Sequence, residues 1–128
     1  MNPIVLITGG SRGIGAATAL LAARRGFTVA INYARQADTA QALVQRIEAE
    51  GGRAMAVQAD VGDEAQVLDM YAQVDAKLGR IWALVNNAGI VDVKARLDEM
   101  SVARLGRMMR INVVGAFVGA REAVKRMS

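Results

Sequence analysis

Residues 3–15 read PIVLITGGSRGIG, an apolar run followed by four glycines within the eight positions from Thr8 to Gly15. The run predicts a buried strand, and the glycines mark a turn into a helix that begins near Gly13. Glycines allow unusual φ angles and let the backbone approach a ligand closely. The free N–H groups and the dipole of the following helix favour an anion. This stretch therefore predicts a phosphate-binding turn. A plain tight turn is the alternative, but it needs only one or two glycines.

The same change from an apolar run to a helical pattern is repeated along the chain. The apolar runs occupy residues 3–8, 28–33, 53–58 and 80–86. They are mostly continuous rather than alternating, as expected of parallel strands buried on both faces. Helical patterns separate them, and a long final one extends from about Ser101 to Met127. This order predicts an α/β fold, a doubly wound parallel sheet of the Rossmann type in three α-β-α layers. We expect one domain over 1–128, without the C-terminal strands of such a sheet.

Each helical pattern predicts a buried face. The first pattern, which ends at Gly26, places Ile14, Ala17 and Leu21 on one face. Glycines also end the second and third patterns. The buried faces predicted for these two are formed by Ala40, Leu43, Val44 and Ile47 and by Val67, Met70, Tyr71, Val74 and Leu78.

The composition narrows the classes of function. Of the 128 residues, 53% are hydrophobic and 22% are charged, and no apolar stretch reaches about 18 residues. The N-terminus lacks the basic start and cleavage site of a secretory leader, so we expect a cytoplasmic protein with no membrane partner. The sequence has no cysteine and no histidine, which removes disulfides and the commonest metal ligand, and we predict no metal site.

The net charge of +4 leaves nucleic-acid binding as an alternative. The basic residues are scattered, and aromatic residues, which would stack on bases, make up only 4% of the chain. A small phosphorylated ligand fits this pattern better, so we expect no nucleic-acid partner.

Three further motifs follow the glycine turn: DV at 60–61, NNAG at 86–89 and IN at 111–112. With the spacing T-G-x-x-x-G-x-G at 8–15, they resemble the short-chain dehydrogenase/reductase family, and the resemblance covers the whole chain. It implies an oxidoreductase that transfers a hydride between a nicotinamide cofactor and a small carbonyl or secondary alcohol substrate. The residues of the turn that it implies for cofactor binding are Gly9, Ser11, Arg12, Gly13, Ile14 and Gly15.

The end of the second strand indicates which cofactor binds. An acidic residue there would bind the 2′-hydroxyl of NAD, whereas an arginine accommodates the 2′-phosphate of NADP. The stretch NYAR that begins at Asn32 has no carboxylate before Asp38, so Arg35 and Arg12 are candidate phosphate clamps. We therefore predict NADP(H) rather than NAD(H), with Asn32 and Tyr33 also at the site. The alternative is that Arg35 only decorates a surface loop.

The resemblance assigns the remaining cofactor contacts. It implies that Asp60 accepts a hydrogen bond from the adenine amino group and that the Val61 backbone lines the same pocket. The alternative for Asp60 is a cap on the following helix, for which Asp63 is at least as well placed. In the NNAG motif the resemblance gives Asn86 a structural role. The alternative for the motif as a whole is a bare turn. The cofactor contacts that it implies there are Asn87, Ala88 and Gly89.

Asn112 is the candidate catalytic residue. It is predicted to share a helical stripe with Leu105, Met109, Ala116, Gly119 and Ala123. An amide on such an apolar face must find partners, and a satisfied buried asparagine is the alternative to a functional one. The resemblance implies that Asn112 is the family's catalytic asparagine, which helps to hold a water in a proton relay. The small residues of this helix predict close packing, either in a homodimer or homotetramer or on the chain's own sheet.

The remaining catalytic residues of the family have no counterpart in this sequence. The resemblance implies a serine and a Y-x-x-x-K pair, but the only tyrosines are Tyr33 and Tyr71, and Asp75 follows Tyr71 at the lysine spacing. We therefore expect the chain to be the cofactor-binding half of a reductase, inactive alone and part of a longer product. The alternative is a non-catalytic dinucleotide-binding or interaction module that ends at Ser128.

Overall fold

The computed structural model describes residues 2–89 and 96–127. Strands and helices alternate along the chain, and a 3-10 turn at Leu97–Glu99 precedes the last helical segment. The strands are β1 (Ile4–Thr8), β2 (Thr28–Tyr33), β3 (Ala54–Gln58) and β4 (Ala83–Asn86). The helices are α1 (Gly13–Arg24), α2 (Ala37–Ala49), α3 (Glu64–Lys77), α4 (Val102–Met109) and α5 (Ala116–Met127), with a π-helical turn at Arg110–Gly115 between the last two.

The four strands form one parallel sheet in the order β3-β2-β1-β4. Ile4 is in register with Thr28 of β2, and Val5 with Ala83 of β4. All five residues of β1 are buried, because helices cover both faces of the sheet. The predicted doubly wound Rossmann sheet is confirmed, and the β4 strand begins later than its apolar run.

Alternate residues of β1 contribute to two separate cores, one on each face of the sheet. Leu6 packs with α3 and α5 residues such as Met70 and Val118, whereas Ile7 packs with α1 and α2 residues such as Ala19. This gives the predicted three layers. The face predicted for α2 is buried as expected, and so is that of α3 apart from the partly buried Leu78.

The face predicted for α1 was wrong. Ile14 and Leu21 are 80% and 53% exposed, and the residues that α1 buries are Gly15 and Ala19. The physical reason is the closeness of α1 to the turn before it. A Cβ on Gly15 would lie only 2.5 Å from the carbonyl oxygen of Gly9. Gly15 and Ala19 therefore occupy the inner face with Leu20 partly buried beside them, whereas Ile14 and Leu21 point outward.

The stripe predicted along the last helical segment was wrong in its first half. Leu105 and Met109 are about half exposed and Asn112 is exposed, whereas Gly119 and Ala123 are buried as expected. The π turn bonds each residue to the fifth along rather than the fourth, which inserts one extra residue. This insertion shifts which positions face the core, so Ile111 and Gly115 are the buried residues of the π turn, whereas α4 buries none.

Across residues 2–89 and 96–127, no helix has both the length and the apolar character needed to cross a membrane.

Candidate functional site

The glycine turn packs directly against the segment that follows β4. Gly9 has a φ of +62°, which L side chains rarely adopt, and a Cβ there would lie 2.9 Å from the Cα of Ala88. Gly15 is equally confined, by the Gly9 carbonyl and by the Asn87 side chain at 2.7 Å. These two glycines therefore make room for the protein's own backbone. Gly13 alone of the three motif glycines has open space where its Cβ would be.

Among residues 2–89 and 96–127, no side chain caps the N-terminus of α1. Arg12 occupies the N-cap position, its side chain makes no capping hydrogen bond, and the first turn contains no acidic residue. The first N–H groups of a helix have no partner within the helix, and they carry a partial positive charge. This end of α1, with a cation before it, is therefore suited to an anion.

Thr8 and Asn87 hold the two sides of the site together. The Thr8 hydroxyl oxygen accepts hydrogen bonds from the backbone N–H groups of Asn87 and Ala88, each at 3.0 Å. The Asn87 side-chain amide in turn donates to the Gly9 carbonyl at 3.0 Å. Asn86 ties β4 to α5 by donating to the Ala116 carbonyl at 2.7 Å. The ends of β1 and β4 are thus cross-linked by polar groups, and the role expected for Asn86 agrees with this contact.

Asn32 supports the turn from the neighbouring strand. Its side chain is buried, accepts a hydrogen bond from the Gly9 N–H at 3.1 Å and donates to the Ala59 carbonyl at 3.2 Å. Its own carbonyl accepts from the Gly10 N–H. The amide therefore fixes the turn against β2 and β3, which is a positioning role that sequence reasoning did not separate from direct contact.

A cavity of about 830 Å³ opens at this edge of the sheet, and we call it the large cavity. All of the predicted cofactor residues except Ile14 and Gly15 line it. Ile14 is exposed on the first turn of α1. Gly15 is buried against the Gly9 carbonyl and the Asn87 side chain. The lining residues are Gly9, Ser11, Arg12, Gly13, Asn32, Tyr33, Ala34, Arg35, Gln36, Gln58, Ala59, Asp60, Val61, Gln66, Asn87, Ala88, Gly89, Arg107 and Ile111.

The charges that line the large cavity are mostly positive. Three arginines line it, Arg12, Arg35 and Arg107, and the only carboxylate among the described residues of the same lining is that of Asp60. Within residues 2–89 and 96–127, none of these three arginine side chains makes an ion pair or a hydrogen bond. Sequence reasoning missed Arg107. Its position one helical turn before the buried Ile111 was the available signal.

Asp60 does not cap α3. Its Oδ1 accepts a hydrogen bond from the Gly62 N–H at 2.9 Å, and its own N–H donates to the Gln66 side chain at 2.8 Å. Asp63 is the cap, since its Oδ1 accepts from the N–H of Ala65 at 3.0 Å. The cap that the alternative assigned to Asp60 therefore belongs to Asp63, and Asp60 Oδ2 makes no hydrogen bond within the part of the chain described.

Asn112 borders the large cavity without lining it. The prediction of a buried amide on an apolar face was wrong, because the π turn places this residue on the exposed side. Its Oδ1 lies 3.3 Å from the position that a Cβ on Gly89 would take. The amide therefore lies beside the NNAG segment, which is one wall of the cavity.

Tyr71 lies outside the site. Its side chain is fully buried between α3 and α5, where the phenol donates to the Gly119 carbonyl at 2.7 Å and the Arg126 guanidinium lies 4.5 Å from the ring centre. Burial raises the pKa of the Tyr71 phenol well above its ordinary value. This tyrosine therefore serves the core and has no path to a ligand in the cavity.

Comparison with known proteins gives one consistent result. The chain matches the short chain dehydrogenase family over residues 3–128. It is 46% identical to the uncharacterized oxidoreductase YgfF of Escherichia coli, with 98% of this chain and 51% of that protein aligned. It thus spans about half the length of the curated relatives it matches.

Solved structures give the same picture. A short chain dehydrogenase from Burkholderia cenocepacia in complex with NADP superposes with a TM-score of 0.93 at 40% identity, over 98% of this chain and 51% of that one. A blue fluorescent protein from a metagenomic library, in complex with NADPH, gives a TM-score of 0.92 at 42% identity, with the same coverage. On its fold, its glycine turn and these matches, the chain belongs to the short chain dehydrogenase family of oxidoreductases.

Proposed function

We propose that this protein is an NADP(H)-dependent oxidoreductase acting on a small carbonyl or secondary alcohol substrate, and that this chain is its cofactor-binding half. The observation that carries the proposal is the N-terminus of α1, which lacks a side-chain cap and opens on a cavity lined by three arginines that have no partner among the described residues. Two structural neighbours are complexes with NADP and NADPH, which supports the choice of cofactor.

Each wall of the large cavity has a part in this proposal. The pyrophosphate binds the N–H groups at the N-terminus of α1, beginning at Gly13, which lines the cavity, and continuing through Ile14 and Gly15 of the same turn. Arg12 and Arg35 bind the 2′-phosphate through their planar guanidinium groups, where a carboxylate would repel it. Asp60 accepts a hydrogen bond from the adenine amino group. The remaining contacts proposed are those of Ser11, Asn32, Tyr33, Val61, Asn87, Ala88 and Gly89.

The bound nicotinamide would supply or accept the hydride. We propose that Asn112 takes part by holding a water molecule of a proton relay beside Gly89. The serine and the Y-x-x-x-K pair that the family's chemistry requires would lie beyond Ser128. Translation of the gene past this codon tests the point, because a serine followed by Y-x-x-x-K is expected there. An in-frame stop after Ser128 would instead support a non-catalytic dinucleotide-binding module.

We also propose that the protein is cytoplasmic and assembles as a homodimer or homotetramer. Gly115, Gly119 and Ala123 are buried against the chain's own core, which supports packing on the chain's own sheet for these small residues. We propose that the contact between copies is formed by the large exposed apolar residues of α4, the π turn and α5: Leu105, Met109, Val113 and Phe117. Light scattering of the wild type and of Phe117→Glu tests the assembly, and a monomeric wild type would contradict it.

The cofactor preference is tested by the Arg35→Ala variant. We expect NADPH binding to weaken by roughly 10- to 100-fold, because a charge-assisted contact to the 2′-phosphate is lost, while NADH binding changes little. Titration followed by the cofactor's own fluorescence is the suitable measurement, since Trp82 lies before β4 at the opposite end of the sheet. Arg25→Ala, at the far end of α1, is the matched control. Equal losses for both cofactors would contradict the clamp, and no binding of either would contradict the proposed function.

A further inference from the structure

We propose that Arg107 is a further cofactor-binding residue, whose guanidinium packs against the adenine ring. This inference rests on the proposed function, and it concerns the one arginine of the large cavity that neither the glycine turn nor the end of β2 supplies. Arg107 belongs to α4, an element to which the sequence motifs assign no cofactor contact.

The position of Arg107 follows from that of Ile111. The two residues are four apart and lie on the same face of the helical segment, and both line the large cavity. Ile111 is buried in the same core cluster as Val61. A Cβ on Gly62 would lie 3.1 Å from Cγ1 of Ile111. The inner face of this segment therefore rests on the loop after β3, and Arg107 extends the same face by one turn.

The strand order identifies the end of the cofactor that this loop meets. The glycine turn follows β1, and β3 lies two strands away, with β2 between them. With the pyrophosphate on α1 and the 2′-phosphate beside Arg35 after β2, the adenine reaches the loop after β3. Asp60 and Val61 occupy that loop, and Arg107 lines the cavity with them.

The chemistry of Arg107 suits an aromatic ring at this place. Its side chain is exposed to the cavity and makes no ion pair or hydrogen bond with any residue in the described ranges. In particular, no nitrogen of Arg107 lies within ion-pair distance of the Asp60 carboxylate, so the carboxylate does not fix the guanidinium. A planar guanidinium stacks on a π system, and this contact is indifferent to a phosphate on the ribose. Arg107 would thus contribute to affinity for both nicotinamide cofactors.

Binding of four probes separates this role from that of Arg35. We expect Arg107→Ala to weaken NADPH and NADH by the same factor, roughly 3- to 30-fold. AMP, which carries the adenine, should weaken in parallel, whereas nicotinamide mononucleotide should not change. Arg107→Lys keeps the positive charge but not the planar guanidinium, so its affinity for the cofactors should lie between those of Arg107→Ala and the wild type. The matched control is Arg110→Ala, an exposed arginine that does not line the cavity. Equal melting temperatures of the ligand-free proteins will verify that the variants are folded.

Each remaining outcome overturns the proposal in a distinguishable way. Unchanged affinity of Arg107→Ala for every probe, with cofactor binding by the wild type, removes the role of Arg107 and leaves the proposed function standing. A loss confined to NADPH assigns Arg107 to the 2′-phosphate and overturns the adenine contact. A full recovery by Arg107→Lys shows that charge alone acts, which also overturns stacking. A wild type that binds neither cofactor overturns the proposed function and this inference together.

Discussion

The N-termini of α1 and α3 lie at the same edge of the sheet, but they differ in their N-cap residues. At α3, Asp63 accepts hydrogen bonds from the N–H groups of Ala65 and Gln66, and Glu64 adds negative charge in the first turn. At α1, the equivalent position is Arg12, which forms no cap. Both helix ends have the same unsatisfied N–H groups. One is capped within the chain, whereas the other has no capping side chain among the described residues and is suited to an anion.

The arginines likewise fall into two groups, those with a carboxylate partner and those without one among the described residues. Arg121 and Arg126 contact the buried Glu122 carboxylate at 3.0 and 3.2 Å, and Lys125 contacts it at 3.0 Å. Arg12 and Arg35 line the large cavity without such a partner in the described residues. The paired cations fix α5, whereas the unpaired ones give the cavity its positive charge.

The largest effect is expected from Gly15→Ala, which disturbs the packing of the α1 N-terminus against the glycine turn. The new Cβ would lie 2.5 Å from the Gly9 carbonyl and 2.7 Å from the Asn87 amide, so the turn must shift. We expect the free energy of unfolding to fall by about 3 kcal/mol, and NADPH affinity to fall at least roughly 100-fold. Thermal denaturation and cofactor titration measure the two effects. In the matched control, Gly119→Ala, the new Cβ would be 3.7 Å from its nearest neighbour and should be tolerated. Equal behaviour of the two variants would contradict this account.

Arg12→Asp gives α1 the cap that α3 has. The backbone of Arg12 is extended, with φ −154° and ψ 172°, so an aspartate there can accept from the first turn. We expect the ligand-free protein to gain about 1 kcal/mol of stability, while NADPH affinity falls roughly 30-fold as a cation is replaced by an anion. Arg12→Ala separates the lost cation from the added carboxylate. A variant that binds NADPH as tightly as the wild type would show that α1 does not bind the anion.

Glu122→Gln removes the carboxylate that the paired cations share. Burial opposes ionisation, but hydrogen bonds from Lys125, Arg121 and Arg126 outweigh it and hold the pKa of Glu122 below its ordinary value. We expect the free energy of unfolding to fall by about 2 kcal/mol near neutral pH. Because the folded-state pKa is the lower one, this contribution is complete above the unfolded-state value of about 4.5 and is lost as the pH falls through the folded-state value. Denaturant titrations of both proteins at several pH values test this. A difference that persists unchanged in acid would contradict it.

The smallest effect is expected from Asp63→Ala, which removes the cap of α3. Loss of the hydrogen bonds to Ala65 and Gln66 should lower stability by about 1 kcal/mol. NADPH affinity should change little, because Asp63 itself does not line the large cavity. Asp69→Ala, also on α3 but beyond its first turn, is the control for losing a carboxylate. A marked loss of cofactor affinity in Asp63→Ala would show that the two helix ends are not separate.

The sheet was predictable because parallel strands buried on both faces read as continuous apolar runs. The glycine turn was predictable because T-G-x-x-x-G-x-G follows the first of these runs directly. The inner face of α1 was not, because hydrophobic periodicity favours Ile14 and Leu21, while the close contact with the turn requires a glycine at position 15. An apolar stripe indicates which residues are hydrophobic, but not how closely the next backbone approaches.

The π turn and the third arginine escaped sequence reasoning for related reasons. One extra residue in a helical turn leaves no mark on composition, so Asn112 was assigned to the buried face. An exposed Arg107 on a short helix resembles any solvated side chain until the fold brings the π turn that follows it against the loop after β3. Local spacing pointed to residues that line the cavity, whereas positions that depend on the packing of distant elements were missed.

The double hydrogen bond at Thr8 has a consequence for motion. Its hydroxyl oxygen accepts hydrogen bonds from the backbone N–H groups of Asn87 and Ala88. The Asn86 side chain donates to the Ala116 carbonyl at the start of α5. The tip of β1, the tip of β4 and the start of α5 thus form one stiff unit. A valine at position 8 would keep the shape but free both amides. Their deuterium uptake would then rise together, in advance of the rest of the sheet.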